Sequence, residues 1–291
     1  MRGSSSCSLV SYLSAGLFLE PLLHPKPGAV TLFERHSDKS IWDFAIHASI
    51  AQEALLESCR SSATHENPVA AGLRAYKRAL LALKISKNVA LGSLLLLAPL
   101  AAALYYLDDG ETLESLCSKA RSLVFERDSA DAAREYYAVL ELLRPSHLGV
   151  YEGPLPGVGS GRYPESFVEV LRVARWDIVH REILEGYPLV SRTARALAER
   201  KFEQETLLET LLDLLVSEGD TLIATKYGWR AYKVALEEAR VAHWLSKRLG
   251  VFRALEWLDS LWRPRGWNPG AVLDVLATAI GLALLSLTRR L

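Results

Sequence analysis

Apolar residues recur every three to four positions along nearly the whole chain, as in the run Leu207, Leu208, Leu211, Leu212, Leu214 and Leu215. That spacing lines one face of an α-helix, whereas a half-buried strand needs strict alternation, which no segment sustains. The pattern predicts an all-α fold. Helix stops fall at Asp109-Gly110, Arg144-Pro145, Gly186, Gly219-Asp220, Gly250 and Arg263-Pro264-Arg265-Gly266, where glycine and proline break or turn the chain. They divide the 291 residues into about ten to twelve helices of ordinary length. With 50% hydrophobic residues, the chain can bury a large core. We expect one domain over residues 1–291, a multi-helix bundle with buried apolar central helices.

Asn88 to Leu107 has the length and hydropathy of a membrane span, and Ala271 to Leu287 is a weaker second candidate. Gly92 and Pro99 interrupt the first and Asp274 sits inside the second, and a large bundle needs a central helix that is apolar all round. Both are expected to be core helices, with no membrane partner. Met1 to Leu23 carries Arg2 and an apolar run, but Glu20 and unbroken periodicity favour a first helix over a cleaved leader.

Lys plus Arg and Asp plus Glu balance at 34 each, so no global basic field draws the chain to nucleic acid. Any cationic site is local. Cys7, Cys59 and Cys117 are few and scattered, with neither a zinc pattern nor a disulfide framework, which predicts a reducing, cytoplasmic setting. Asparagine occurs three times and glutamine twice, a depletion of thermolabile amides that points to a hot environment.

Two segments read as non-helical: His24 to about Ser40, and a Gly/Pro-rich loop at 145–164 that reads as a lid or linker and bears His147, Tyr151, Glu152 and Arg162. Long loops in compact helical proteins are usually functional or mobile. In Pro25-Lys26-Pro27-Gly28 the prolines fix the backbone and Gly28 permits positive φ, so Lys26 is held with little entropy left to lose. That suits a phosphate contact, with Arg35, His36 and Asp38 nearby, and equally a connector with a solvated lysine. Asp220 opens a helix ending at Lys226-Tyr227-Gly228; it either caps that helix or binds a metal or substrate in the cleft toward which Lys226 points. Asn88 and Asn268 read as helix caps. Asp274, one turn into an apolar helix, requires a partner or a cation. Asp177, His180, Arg181 and Glu182 read as a charged surface stripe, and His47 and His243 as isolated residues.

Taken in order, Glu20 to Gly28 (E-P-L-L-H-P-K-P-G), His36-Ser37-Asp38, Asn88 to Leu100, Asp220-Thr221 with Lys226-Tyr227-Gly228, and Asn268-Pro269-Gly270 with Asp274 resemble the triphosphoribosyl-dephospho-CoA synthase family, and Ser129 to Gly149 with Arg175 to Gly186 resemble its archaeal branch. The resemblance implies a transferase that moves the 5-triphosphoribosyl group of ATP to the 2′-hydroxyl of dephospho-CoA, with release of adenine. It also implies Mg²⁺ as cofactor and small-molecule nucleotides as partners. On that basis Lys26 and Lys226 would hold phosphates, with Arg35, His36, Asn88, Asn268 and Gly270 in the nucleotide site. Asp220 and Asp274 would bind the metal, Asp38 would act as general base, and Glu20 would orient Lys26.

The chain departs from the family pattern where Thr and then His or Asn commonly follow Asn88, here Val89-Ala90, and where small hydroxyl or glycine residues commonly follow Gly270, here Ala271-Val272-Leu273. Tyr227 stands where histidine is usual. These departures imply either a different substrate pair or a nucleotide-binding member with weak or no transferase activity.

Overall fold

A computed structural model describes residues 6–36, 39–108, 110–145, 148 and 153–289. The described residues form thirteen α-helices and no strand. In chain order these are α1 (Val10–Leu19), α2 (Ile41–Thr64), α3 (Pro68–Ala82), α4 (Leu91–Leu104), α5 (Leu113–Glu126), α6 (Ala130–Leu143) and α7 (Phe167–Val173). They continue with α8 (Ile178–Glu185), α9 (Pro188–Ala198), α10 (Gln204–Glu218), α11 (Thr221–Leu249), α12 (Val251–Trp262) and α13 (Gly270–Arg289). The helix count is one above the expected range because short pieces such as α7 and α8 stand alone. α11 bends at Gly228, whose φ of 85° leaves the helical region.

The stops act through the chemistry that the sequence advertises. Asn67 caps α3 by accepting from the Val69 and Ala70 amides, with Pro68 in the first turn, and Gly186 ends α8 in the left-handed region. Two helices form the centre. Every residue of α4 except Gly92 is buried, and α13 packs against α1, α4 and α9. At 14 residues, α4 is about 21 Å long, shorter than a bilayer's hydrocarbon core. α13 is the one helix among the described residues long and apolar enough to cross a membrane, and most of it is buried inside the fold. Both apolar segments are therefore core helices.

One expectation is overturned. Cys7 and Cys59 form a disulfide that closes 52 residues of chain and ties the N-terminal turn to α2. Scattered spacing concealed it because a bridge needs only two Cα atoms about 5.7 Å apart, wherever they lie in sequence. Cys117 is free and buried.

Candidate functional site

Four helices begin around one cavity. Its wall includes Asn88 to Ser93 at the start of α4, Asp177 and His180 at the start of α8, Leu222 and Lys226 from α11, and Asn268, Gly270 and Ala271 at the start of α13. A helix N-terminus carries about half a positive charge, and at each of these four an aspartate of the protein already accepts at least one backbone amide. Lys26, Lys39 and Lys226 line the same space, as do Glu20 and Asp274.

Three aspartates lock these helix starts together. Asp177 caps α8 by accepting from the Val179 amide at 3.0 Å and the His180 amide at 3.3 Å, and it also accepts the Thr221 hydroxyl at 3.0 Å. Asp220 accepts from Ile223 at 3.0 Å and from Val272 at 2.8 Å, so one carboxylate serves the first turns of both α11 and α13. Asp274 reaches α4, where its Oδ1 accepts both the amide and the hydroxyl of Ser93. α4 has Ala90 at its cap position and no capping side chain of its own. Gly92 makes room, because a Cβ there would lie 2.1 Å from Asp274 Oδ2.

Burial pushes the Asp220 and Asp274 carboxyls up to about 7, against the amide and hydroxyl hydrogen bonds that favour their charged forms. Burial would also raise Asp177, but hydrogen bonds from His180 and Thr221 outweigh it and hold that carboxyl below its ordinary range.

Lys26 is fully buried. Its Nζ pairs with the Glu20 carboxylate and donates to the Glu20 carbonyl at 3.0 Å. Burial lowers the ammonium pKa and Glu20 opposes that shift. The turn is clamped from the far end of the chain. The Gly28 amide donates to Asp259 at 2.7 Å, and Arg263 donates to the Ala29 carbonyl at 3.1 Å. Gly28 has φ of 65°, and a Cβ on it would lie 1.7 Å from the Trp267 carbonyl oxygen. The His24-Pro25 bond is cis.

Of the expected site residues, Glu20, Lys26, Asn88, Lys226, Asn268, Gly270 and Asp274 meet at the cavity. Asn88 does not cap α4, which starts three residues later. Asn268 Oδ1 is buried with no hydrogen-bond partner, a donor-seeking atom on the cavity wall. Asp220 is not part of that wall, and its two oxygens are committed to backbone amides, so its place in the structure is a double cap rather than a metal ligand. Arg35 is exposed and offers its carbonyl to Arg263. His36 pairs through its backbone with Lys39. Neither lines the cavity; Lys39, which the sequence did not single out, does. Asp38, and His147, Tyr151 and Glu152 of the loop, lie outside the described residues. Val89, Ala90 and Ala271, the departures from the family pattern, stand on the wall itself.

The supposed charged stripe on α8 faces three ways. Arg181 pairs with Glu218 at 2.7 Å. Glu182 is buried and accepts from Leu189 and Val190, and burial pushes its carboxyl up to about 7. Asp177 and His180 turn to the cavity, with Nδ1 of His180 2.9 Å from Asp177 and Nε2 3.2 Å from the Tyr136 hydroxyl. The available signal was aspartate three residues before histidine at a helix start, the spacing of a cap.

Among the described residues no group of three or more His, Cys, Asp or Glu side chains forms a metal cluster. A magnesium ion that arrives with a polyphosphate needs only one or two carboxylates, and Asp274 on the cavity wall meets that smaller requirement.

The fold is all-α, and its interior cavity gathers lysines and carboxylates at the starts of four helices. The family model for ATP:dephospho-CoA triphosphoribosyl transferases matches residues 8–290, and the chain belongs to that transferase family. A crystal structure from Archaeoglobus fulgidus, of a protein provisionally named a triphosphoribosyl-dephospho-CoA synthase, is similar in fold. It superposes with a TM-score of 0.61 at 20% identity, covering 82% of this chain and 97% of that one. No curated protein is similar in sequence to this chain.

Proposed function

We propose that the chain moves the 5-triphosphoribosyl group of ATP onto the 2′-hydroxyl of dephospho-CoA and releases adenine. The observation that carries this reading is the convergence of four helix N-termini with Lys26, Lys39 and Lys226 on one cavity that also holds carboxylates. Helix dipoles and ammonium groups suit a triphosphate. Carboxylates suit the positive charge that gathers on the ribose as its bond to the base breaks. Lys226 and Lys39 contact phosphates, while Lys26 with Glu20 forms the floor of the phosphate site. Asn268 offers its unpartnered oxygen to a substrate hydroxyl. Asp274 holds Mg²⁺, which neutralises charge on the triphosphate when bound. An intracellular protein of a hot environment accommodates both the scarcity of amides and the Cys7–Cys59 bridge.

Apolar Val89, Ala90 and Ala271 support a second reading, a nucleotide-binding member without transfer. Purified protein incubated with ATP, Mg²⁺ and dephospho-CoA separates the two. Free adenine, in step with disappearance of ATP, is the expected result. Thermal stabilisation by ATP with no adenine formed establishes the second reading instead.

A further inference from the structure

A second cavity shares a wall with the first, since Tyr136, Leu140, Asp177, His180 and Leu222 line both. Its other side is mostly apolar, with Leu155, Pro156, Val158, Val173 and Trp176. The Gly/Pro segment that supplies part of it is fastened to α6. The Tyr137 hydroxyl donates to the Pro156 carbonyl at 3.0 Å, and the Gly159 amide donates to Glu141 at 3.1 Å. One chamber is thus lined by three ammonium groups together with carboxylates, the next is mostly apolar, and His180 stands on the partition.

We propose that His180 is the general base for the acceptor hydroxyl, held by Asp177, and that the acceptor's chain lies in the apolar cavity while the triphosphate lies in the charged one. The inference rests on the transferase reading above. A carboxylate only accepts hydrogen bonds, so in the neutral imidazole the 2.9 Å contact with Asp177 puts the ring proton on Nδ1 and the lone pair on Nε2. The Tyr136 hydroxyl, kept protonated by burial, lies 3.2 Å from Nε2 and in that form of the ring donates to it. This is the contact that an incoming hydroxyl replaces. Capping α8 requires only the backbone contacts of Asp177; the ring contact and the position between two cavities add nothing to a cap.

The acceptor oxygen forms a bond to C1′ of the ribose as the C1′–N9 bond of ATP breaks, and N9 keeps the electron pair. The hydroxyl proton passes to Nε2 of His180. Adenine takes a proton from solvent, and His180 returns its own to solvent, so mass and charge balance. General base catalysis of this kind contributes roughly 100-fold to 10,000-fold.

The test uses the full chain with ATP, Mg²⁺ and dephospho-CoA, and follows adenine release and ATP binding by calorimetry. His180→Gln should lower kcat about 100-fold or more, with ATP affinity held within about threefold, because the phosphate contacts are assigned to Lys39 and Lys226 and the ring stands on the partition between the cavities. A variant that keeps kcat within about threefold of wild type overturns the base, as does one that raises only KM for dephospho-CoA. Should His180→Gln unfold, His180→Ala assayed with added imidazole decides the point: recovery of adenine release supports the base, and no recovery overturns it. A wild type that releases no adenine overturns the transferase reading, and the base falls with it.

Discussion

Asp274 and Ser93 join the two central helices at their cavity ends, where Oδ1 of Asp274 accepts the Ser93 amide at 2.9 Å and the Ser93 hydroxyl at 2.5 Å. The link gives α4 the cap that its own sequence lacks. Asp274→Ala should therefore cost about 2 kcal/mol in urea unfolding, the scale of a lost cap plus unsatisfied buried donors. Ser93→Ala, which keeps the amide contact, should cost about 1 kcal/mol. The double variant should cost less than the sum. Strict additivity would show that the two side chains do not depend on each other.

The Pro25-Lys26-Pro27-Gly28 turn depends on a position that admits no side chain. A methyl group on Gly28 meets the Trp267 carbonyl oxygen at 1.7 Å and also faces a positive φ. Gly28→Ala should cost about 3 kcal/mol through strain and overpacking. Asp259→Asn, which keeps an acceptor for the Gly28 amide, should cost less than half of that. Circular dichroism melts of the two variants check the ranking.

Buried carboxyls give the protein an unusual dependence on pH. The folded-state value for Glu182 is raised to about 7 from an ordinary 4.5, so between those values the native state holds a proton that the unfolded state has released. Stability from this group is present below pH 4.5 and is lost as pH rises toward 7, at about 1.4 kcal/mol per pH unit. Asp220 acts in the same direction. His47, lowered to about 4 by burial, acts oppositely between 4 and 6.5. The ligand-free protein should be more stable to urea at pH 5 than at pH 7. Glu182→Gln should flatten that difference, and an unchanged slope would refute the assignment.

Helices were the legible part of the sequence, because period and punctuation are local. Seven of the singled-out residues meet at the cavity, and most of them lie at or near a helix start or in the Pro25–Gly28 turn. What stayed hidden depends on distant chain segments meeting. Asp220 looked like the cap of one helix and serves two, since Val272 lies 52 residues away. Asp177 and His180 looked like surface charge, because nothing in their own segment reveals Tyr136 and Thr221 beside them. Lys39 stood among ordinary loop residues, and only the tertiary structure places it on the cavity wall.

The Cys7–Cys59 bridge closes 52 residues, which in the chain-entropy picture is worth about 4 kcal/mol. Reduction under denaturing-free conditions, or Cys7→Ser with Cys59→Ser, should lower the midpoint of unfolding without changing α-helical content. Cys117, buried and with its thiol pushed up to about 12 by burial, should stay unmodified by iodoacetamide in the native protein. Alkylation of native protein at Cys117 would contradict its burial.

Charge at the cavity separates residues that share a loop. Lys39 lines the site and Arg35, four residues earlier, is exposed and outside it. Lys39→Ala and Lys226→Ala should each weaken ATP binding about tenfold, about 1.4 kcal/mol, within the range for a hydrogen bond to a charged group. Arg35→Ala should leave affinity within about twofold, since its link to Arg263 runs through the backbone carbonyl. The salt dependence of ATP binding sharpens the contrast: exposed charges are screened within about 10 Å at 0.1 M salt. A general electrostatic attraction would make all three variants respond alike, whereas direct contact makes only the two lysine variants lose affinity that persists at high salt. Calorimetry at two ionic strengths reads out both, and equal losses for Arg35→Ala and Lys226→Ala would remove Lys226 from the phosphate site.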